Sequence, residues 1–166
     1  VNGGVIPALD AVGKLYDAGR YFLPQLIASA HAAQRVCDTA LARLEASGAS
    51  ACPGRILLAT VEGDLHDLGK NVVGTILKSH GYAVTDLGKD VPTAEILAAA
   101  GRERPDIVGL SALMTSTMEE MERAARQLKA RFPGIRVMVG GASVNQAFAD
   151  RIGALEHTHW WHLGAQ

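Results

Sequence analysis

The sequence is poor in cysteine and in aromatic residues. Its 166 residues include only two cysteines, Cys37 and Cys52, and aromatic side chains make up 5%. Two cysteines without metal-ligand spacing exclude a disulfide framework and a cysteine-based zinc site, and they suit a reducing compartment. We therefore expect both to be structural or incidental, and we expect a cytoplasmic protein.

The chain also lacks an excess of charge and a long apolar run. Sixteen basic and 17 acidic residues give a net charge of −1, and no basic face is available for a phosphate backbone. The apolar runs are short, and no apolar leader follows Val1. We expect no direct nucleic-acid partner, no membrane span and no secretion.

What is present is an even supply of apolar residues, 48% of the chain, enough for one buried α/β domain and a small helical appendage. The first 46 residues carry apolar positions at helical spacing, with a break between Gly19 and Pro24. This pattern predicts a helical hairpin over residues 1–46. Small residues then predict a linker over residues 47–54.

From Arg55 onward, strand and helix patterns alternate. Strands are predicted at 56–61, 84–87, 107–111 and 137–139, and helices at 71–80, 92–100 and 118–132. Repeated βα units indicate an α/β, Rossmann-like, doubly wound parallel sheet over residues 55–154, with ligand-binding loops along one edge. The first strand is not followed by a Gly-x-Gly-x-x-Gly turn, which excludes a dinucleotide site of the usual kind.

The loop after the first strand, residues 63–70, carries the residues best suited to chemistry. Asp64 can accept a hydrogen bond from one ring nitrogen of His66, which fixes the tautomer and leaves the other nitrogen for a metal. Gly69 removes a side chain where a bulky flat ligand would approach the backbone. A histidine that only caps the next helix is the alternative for His66 alone, and we expect Lys70 to be a solvated charge.

Three separated motifs together resemble the cobalamin-binding module of methionine synthase and the corrinoid proteins of methyltransferase systems. They are Asp64-x-His66-x-x-Gly69, the run Leu-Ser-Ala-Leu-Met-Thr at 110–115, and the pair Gly140-Gly141. Residues 12–25 also look like the helical cap that precedes this module. The resemblance implies a flavodoxin-like fold preceded by a partial helical-bundle cap, of which residues 1–46 are the second half.

In the resembling families, a histidine at the position of His66 is the lower axial ligand of the cobalt. It displaces the dimethylbenzimidazole of cobalamin, whose nucleotide tail enters a slot in the sheet. Asp64 then corresponds to the residue that accepts a hydrogen bond from this histidine, and Thr117 to the one that donates to the aspartate. The resemblance implies that this group couples proton uptake to the redox state of cobalt.

By the same resemblance, Ser111 and Thr115 contact the benzimidazole tail and Leu113 lines the lower corrin face. Gly140 and Gly141 let the backbone approach the cofactor closely. Simpler interpretations remain open. Hydroxyls at strand ends often bond the backbone, and paired glycines are common in α/β turns.

The cap has to keep water from the upper corrin face, and Tyr16, Leu23 and Leu26 align with its apolar residues. An ordinary helix-helix core is an equal alternative for all three. After Ala154 we find no strand alternation, so we expect a divergent or tag-derived tail over residues 155–166 in place of the fifth strand. Its histidines carry no mechanism.

The resemblance implies a methyl carrier that uses methylcobalamin or a related corrinoid, as an enzyme component that does not turn over alone. Its expected partners are methyl-donor and methyl-acceptor methyltransferase domains or subunits, together with a reductive-activation protein. The alternatives are an adenosylcobalamin mutase domain, a cobalamin-dependent sensor and a cobalamin-free signalling domain. The sequence does not separate a methionine synthase fragment from a stand-alone corrinoid protein.

Overall fold

The computed structural model describes residues 5–46 and 52–156. These residues fall into two compact units. One is built on the N-terminal helices and residues 72–83, and the other on residues 54–71 and 84 onward. In the described segments, no helix is long and apolar enough to cross a bilayer.

The N-terminal helices are α1, Val5–Asp17, and α2, Leu23–Ala46. The helical run of α1 ends before Gly19, whose φ of 67° is left-handed and whose N–H donates to the Tyr16 carbonyl at 2.9 Å. The start of α2 is capped by Gln25, which accepts a hydrogen bond from the N–H of Phe22. The predicted hairpin is confirmed, with helix ends close to those expected.

The second unit contains a parallel sheet in the order β2-β1-β3-β4-β5. The strands are β1 Arg55–Thr60, β2 Ala83–Asp86, β3 Ile107–Ser111, β4 Arg136–Gly140 and β5 Leu155–Glu156. The helices between the strands are α3 Leu68–Ser79, whose residues from Val72 onward belong to the first unit, α4 Thr93–Glu103, α5 Met118–Arg131 and α6 Gln146–Ile152. This strand order is flavodoxin-like, so the predicted fold class is confirmed.

The central strands are buried along almost their whole length, which explains why they could be predicted from their continuous apolar sequence. Every residue of β3 and all of β1 after Arg55 are buried, as expected for parallel strands covered on both faces. Fully buried side chains such as Leu57, Met121 and Leu128 form the core, and each contributes about 1.5–3 kcal/mol. The core thereby fixes where β1 and β3 end.

The expectation that the fifth strand is missing is wrong at its start. Leu155 and Glu156 pair in parallel with Met138 and Val139 of β4. Gly153, in a left-handed conformation with a φ of 63°, ends α6 and turns the chain toward this edge. A strand of two residues is too short to show alternation, which is why the pattern gave no signal. The remainder of the predicted tail, like most of the predicted linker, lies outside the described residues.

The sequence pattern also placed the start of α3 too late and did not predict α6 or the short 3₁₀ turn Thr115–Thr117. The first turn of α3 begins at Leu68, inside the glycine-containing motif. A glycine is unfavourable in a helix interior but tolerable in a first turn. The helix therefore starts immediately after the loop that holds His66.

We expect Gly141→Ala to destabilise the protein by about 3 kcal/mol, because of strain and overpacking together. The φ of Gly141 is 129°, and an added Cβ would lie 1.9 Å from the Ala112 carbonyl oxygen. Gly134→Ala is the matched control, since its φ is ordinary and an added Cβ meets no atom within 4 Å. Urea unfolding followed by circular dichroism measures both, and equal midpoints would contradict the close approach.

Candidate functional site

The sequence-predicted histidine loop lies at the carboxyl edge of the sheet, where β1 and β3 are neighbours. Residues 61–67 follow β1, and residues 112–117 follow β3. This is the point where the strand order reverses, and open α/β sheets bind ligands in the crevice found there. All of these residues belong to the second unit.

Asp64 is the centre of the hydrogen bonds at this edge, and its side chain is fully buried. One carboxylate oxygen accepts the backbone N–H of His66 at 3.0 Å and is 2.9 Å from the ring Nδ1 of His66. The other oxygen accepts the N–H of Leu113 at 2.6 Å, the N–H of Met114 at 3.2 Å and the hydroxyl of Thr117 at 3.0 Å. The carboxylate thereby joins the loop after β1 to the loop after β3.

These donors decide the charge of Asp64. Burial alone raises the pKa of a carboxyl group, because it penalises the charged form. The hydrogen bonds from the backbone and ring of His66 and from the N–H groups of Leu113 and Met114 outweigh that effect and hold the pKa of Asp64 well below its ordinary value. Asp64 is therefore an anion, and a pure acceptor, at neutral pH.

An ionised Asp64 also fixes the tautomer of His66. A carboxylate can only accept, so the neutral imidazole carries its proton on Nδ1 and keeps the lone pair on Nε2. The side chain of His66 is 54% exposed, although its partner is buried. The site therefore offers an oriented nitrogen donor to a ligand at the sheet edge.

Thr117 stands where it was expected. Its hydroxyl is 3.0 Å from Asp64 Oδ2 and 2.9 Å from the Met114 carbonyl oxygen, and the residue is 5% exposed. Both neighbours are acceptors, so the single hydroxyl proton bonds one of them at a time. The 3₁₀ turn Thr115–Thr117 brings this hydroxyl under the carboxylate.

Three exposed leucines belong to the two loops that meet at Asp64. Leu65 and Leu68 flank His66 in the loop with exposures of 60% and 55%, and Leu113, which bonds Asp64 through its N–H, is 41% exposed. An added Cβ at Gly69 would meet nothing within 4 Å. Sequence reasoning missed Leu65 and Leu68, although apolar residues beside a loop histidine are a readable signal. Exposed apolar side chains in the loops that carry one exposed nitrogen donor fit a broad, flat metal cofactor.

The donor set fits such a cofactor as well. His66 provides one nitrogen, and the described segments contain no group of three or more His, Cys, Asp or Glu side chains that could hold a metal ion. A single protein donor suits a metal whose other ligands come from a macrocycle, as the cobalt of cobalamin does. The residues at this edge therefore fit a corrinoid.

The two residues expected to contact the nucleotide tail differ in burial. Ser111 is buried at the end of β3, in register with Thr60 of β1, whose hydroxyl is buried without a hydrogen-bond partner among the described residues. In-register neighbours point to the same face, so these two hydroxyls mark a place where a polar ligand group would be satisfied. Thr115 is exposed.

The glycine pair has a structural explanation. Gly140 is buried at the end of β4, and its carbonyl oxygen accepts the N–H of Ala112. Gly141 is required by the chain's own packing, because a side chain there would collide with the Ala112 backbone. Their contact with a cofactor stays a prediction, as does the role of the cap residues. Leu26 is 4% exposed, and Tyr16 and Leu23 are half-buried in the first unit.

The prediction that Lys70 is a solvated charge is wrong. The residue is 3% exposed, and its ammonium group donates to both oxygens of Asp86 at 2.5 Å. Sequence reasoning also missed Asp90, which accepts the N–H of Gly63 at 2.7 Å. Asp86 ends β2 and Asp90 follows this strand, so both lie beside the end of β1 at the same sheet edge. The position of these two carboxylates next to the histidine loop could have been predicted from that adjacency.

Comparison with known proteins identifies the family. A model described as B12 binding domain matches residues 54–156, and a second B12 binding domain model matches residues 1–41. The chain is 37% identical over 156 residues to dimethylamine corrinoid protein 1 of Methanosarcina acetivorans, which covers 93% of this chain and 73% of that protein.

Solved structures agree. A cobalamin-binding protein from Desulfitobacterium hafniense matches with a TM-score of 0.80 and 35% identity, covering 92% of this chain and 73% of that chain. The methanol:cobalamin methyltransferase complex MtaBC from Methanosarcina barkeri matches with a TM-score of 0.73 and 35% identity, covering 94% and 60%.

The two family models cover both the helical hairpin and the sheet, as the resemblance implied. The named relatives are corrinoid proteins and a methyltransferase complex, and they give no support to the mutase, sensor or cobalamin-free alternatives. The chain therefore belongs to the B12-binding corrinoid proteins, the methyl carriers of methyltransferase systems, and its cofactor is a corrinoid.

Proposed function

We propose that His66 is the protein ligand of cobalt in this methyl carrier and that Asp64 and Thr117 hold it in position. The observation that carries the proposal is an exposed imidazole hydrogen-bonded to a fully buried carboxylate, in loops that also carry exposed leucines. Bound cobalamin supplies the cobalt on which the methyl group is carried. The protein supplies the histidine ligand and the residues that hold it.

The protein orients the histidine, sets its tautomer and excludes water from the face that the cofactor covers. The Asp64 carboxylate keeps the His66 proton on Nδ1, so that the Nε2 lone pair is available. Leu65, Leu68 and Leu113 provide an apolar surface that a flat ligand would cover, at about 25 cal/mol for each Å² removed from water. The leucines give affinity, and the histidine gives a specific axial contact.

The carrier has no catalytic cycle of its own in this proposal. It acts with separate methyl-donor and methyl-acceptor methyltransferase subunits and with a reductive-activation protein. Relatives named for dimethylamine and for methanol support a small methylated amine or alcohol as the source of the methyl group. Ser111 and Thr115 are assigned to the nucleotide tail, and Tyr16, Leu23 and Leu26 to the cap.

Isotope labelling tests the cobalt ligand directly. Protein labelled with [15N]histidine is loaded with hydroxocobalamin, reduced to Co(II) and measured by electron paramagnetic resonance. Because 15N has nuclear spin one-half, a histidine ligand splits each cobalt line into a doublet. His66→Gly should remove the doublet, and His31→Ala, a variant of an exposed histidine in α2, should keep it. A 14N triplet in the unmodified sequence would show benzimidazole ligation and contradict the proposal.

Asp64→Asn should destabilise the cofactor-free protein by about 3 kcal/mol at neutral pH, because an amide places donors against the N–H groups of Leu113 and Met114. The folded-state pKa of Asp64 is lowered. Its contribution is therefore complete above the unfolded value of about 4 and is lost as the pH falls below it.

Urea unfolding of the parent sequence and of Asp64→Asn at pH values from about 7 down to about 3 measures this difference. The gap between the two proteins should stay constant above pH of about 4 and narrow below it. A gap that is independent of pH throughout would show that the Asp64 charge is not what stabilises the fold.

Gly69→Leu should lower the affinity for hydroxocobalamin at least about tenfold without destabilising the cofactor-free protein. The position has open space around it and an ordinary helical conformation in the first turn of α3, so only a ligand would collide with the new side chain. Gly134→Leu, which also has open space, is the control. Equal affinities in spectroscopic titrations would place the cofactor elsewhere.

A further inference from the structure

The β2–α4 segment, Asp86–Asp90, forms hydrogen bonds with both ends of the histidine loop. At the far end of the loop, both carboxylate oxygens of Asp86 accept from the Lys70 ammonium group at 2.5 Å, and this ammonium group also donates to the Asn71 side chain at 2.9 Å. At the near end, Asp90 accepts the N–H of Gly63 at 2.7 Å. Between these two attachments lie the buried Asp64 and the part of the loop that carries the exposed His66.

The Lys70 attachment is not one that stability alone would favour. Its side chain is 2% exposed, and a buried ammonium group loses its hydration. It also lies in the first turn of α3, where the helix dipole disfavours a cation. The side chain of Asp86 is 33% exposed, so solvent weakens the attraction between the two charges while the ammonium group stays buried. The value of this pair therefore lies in the geometry that it imposes.

The Asp90 attachment also has a cost. Asp90 has a φ of 54°, a left-handed conformation that costs a non-glycine residue about 1 kcal/mol. In this conformation its backbone N–H donates to the Asp64 carbonyl oxygen at 3.0 Å, while its carboxylate accepts from Gly63. The strained residue thereby holds the backbone of the residue that orients the histidine.

We propose that Lys70, Asp86 and Asp90 are positioning residues for the axial histidine. They fix both ends of the loop at residues 63–64 and 70, so that the imidazole of His66 is presented at a set height above the sheet. Loosening either end lets the cofactor bind while its cobalt loses the histidine contact. This inference rests on the proposed role of His66.

The test compares variants at equal cofactor occupancy, using the [15N]histidine doublet of the Co(II) form as the readout. In Lys70→Met the fraction of cobalt that shows the doublet should fall at least about twofold. Lys78→Met, at an exposed lysine in the last turn of α3, should show no change. A role confined to folding would not move this fraction in protein that is folded and loaded.

Asp90 provides an independent arm. Asp90→Gly removes the acceptor but relieves the left-handed strain, so the cofactor-free protein should unfold at an equal or higher urea concentration while the doublet fraction falls. Asp90→Asn keeps a carbonyl acceptor and tolerates the same conformation, so it should retain the doublet. Amide hydrogen exchange at Gly63, measured without cofactor, should be faster in Asp90→Gly only.

The outcomes separate the two claims. Without a doublet in the parent sequence, the proposed role of His66 fails, and the positioning inference fails with it. A doublet in the parent that persists undiminished in Lys70→Met and in Asp90→Gly overturns the positioning inference alone. If Lys70→Met does not fold, the result for Asp90→Gly alone tests the positioning inference. This variant is expected to fold, because glycine relieves the left-handed strain at residue 90.

Discussion

The structure depends on the burial of one negative charge. A carboxylate with no solvent contact needs donors on both oxygens, and Asp64 obtains them from its own loop and from the loop that follows β3. These loops come from neighbouring strands that are far apart in sequence, so the carboxylate works as a cross-link at the ligand-binding edge of the sheet. The same charge dictates which nitrogen of His66 carries the proton. The joining of the two loops and the tautomer of His66 are therefore set by one group.

Around this charge, the exposure of the side chains increases from the carboxylate to the residues that a ligand would contact. The acceptor is enclosed, the imidazole is half-exposed, and the leucines beside it are exposed although apolar. Exposed apolar side chains next to a polar group are unfavourable in water and favourable under a flat ligand with its own metal. Most of the metal's ligands arrive with the cofactor, so the protein needs only a single donor of the right tautomer.

A feature could be predicted from the sequence where its signal lies within a few neighbouring residues. Continuous apolar strands and the Asp64-His66 spacing lie within a few residues, so the sheet and the central pair were predictable from the sequence. The approach of Thr117 came only through resemblance, because nothing in its own surroundings points to residue 64. The backbone donors of Leu113 and Met114 carry no sequence signal, since almost every residue has an N–H group. Lys70 was misjudged because its partner follows a different strand, and Leu155 because two residues show no period.

The costly features of the described chain collect at this same edge. Two non-glycine residues of the described chain have positive φ. One of them, Arg104, lies before the start of β3 and is explained by ending α4 as its C-cap. Asp90 follows no helix, and its conformation is accounted for by its bonds to Gly63 and Asp64. A cation buried in a first helical turn lies on the other side of the same loop. Elsewhere the sheet core is apolar and the caps are ordinary. Local rules are broken at the residues that attach the two ends of one loop, and the proposed role of His66 gives a reason for holding that loop.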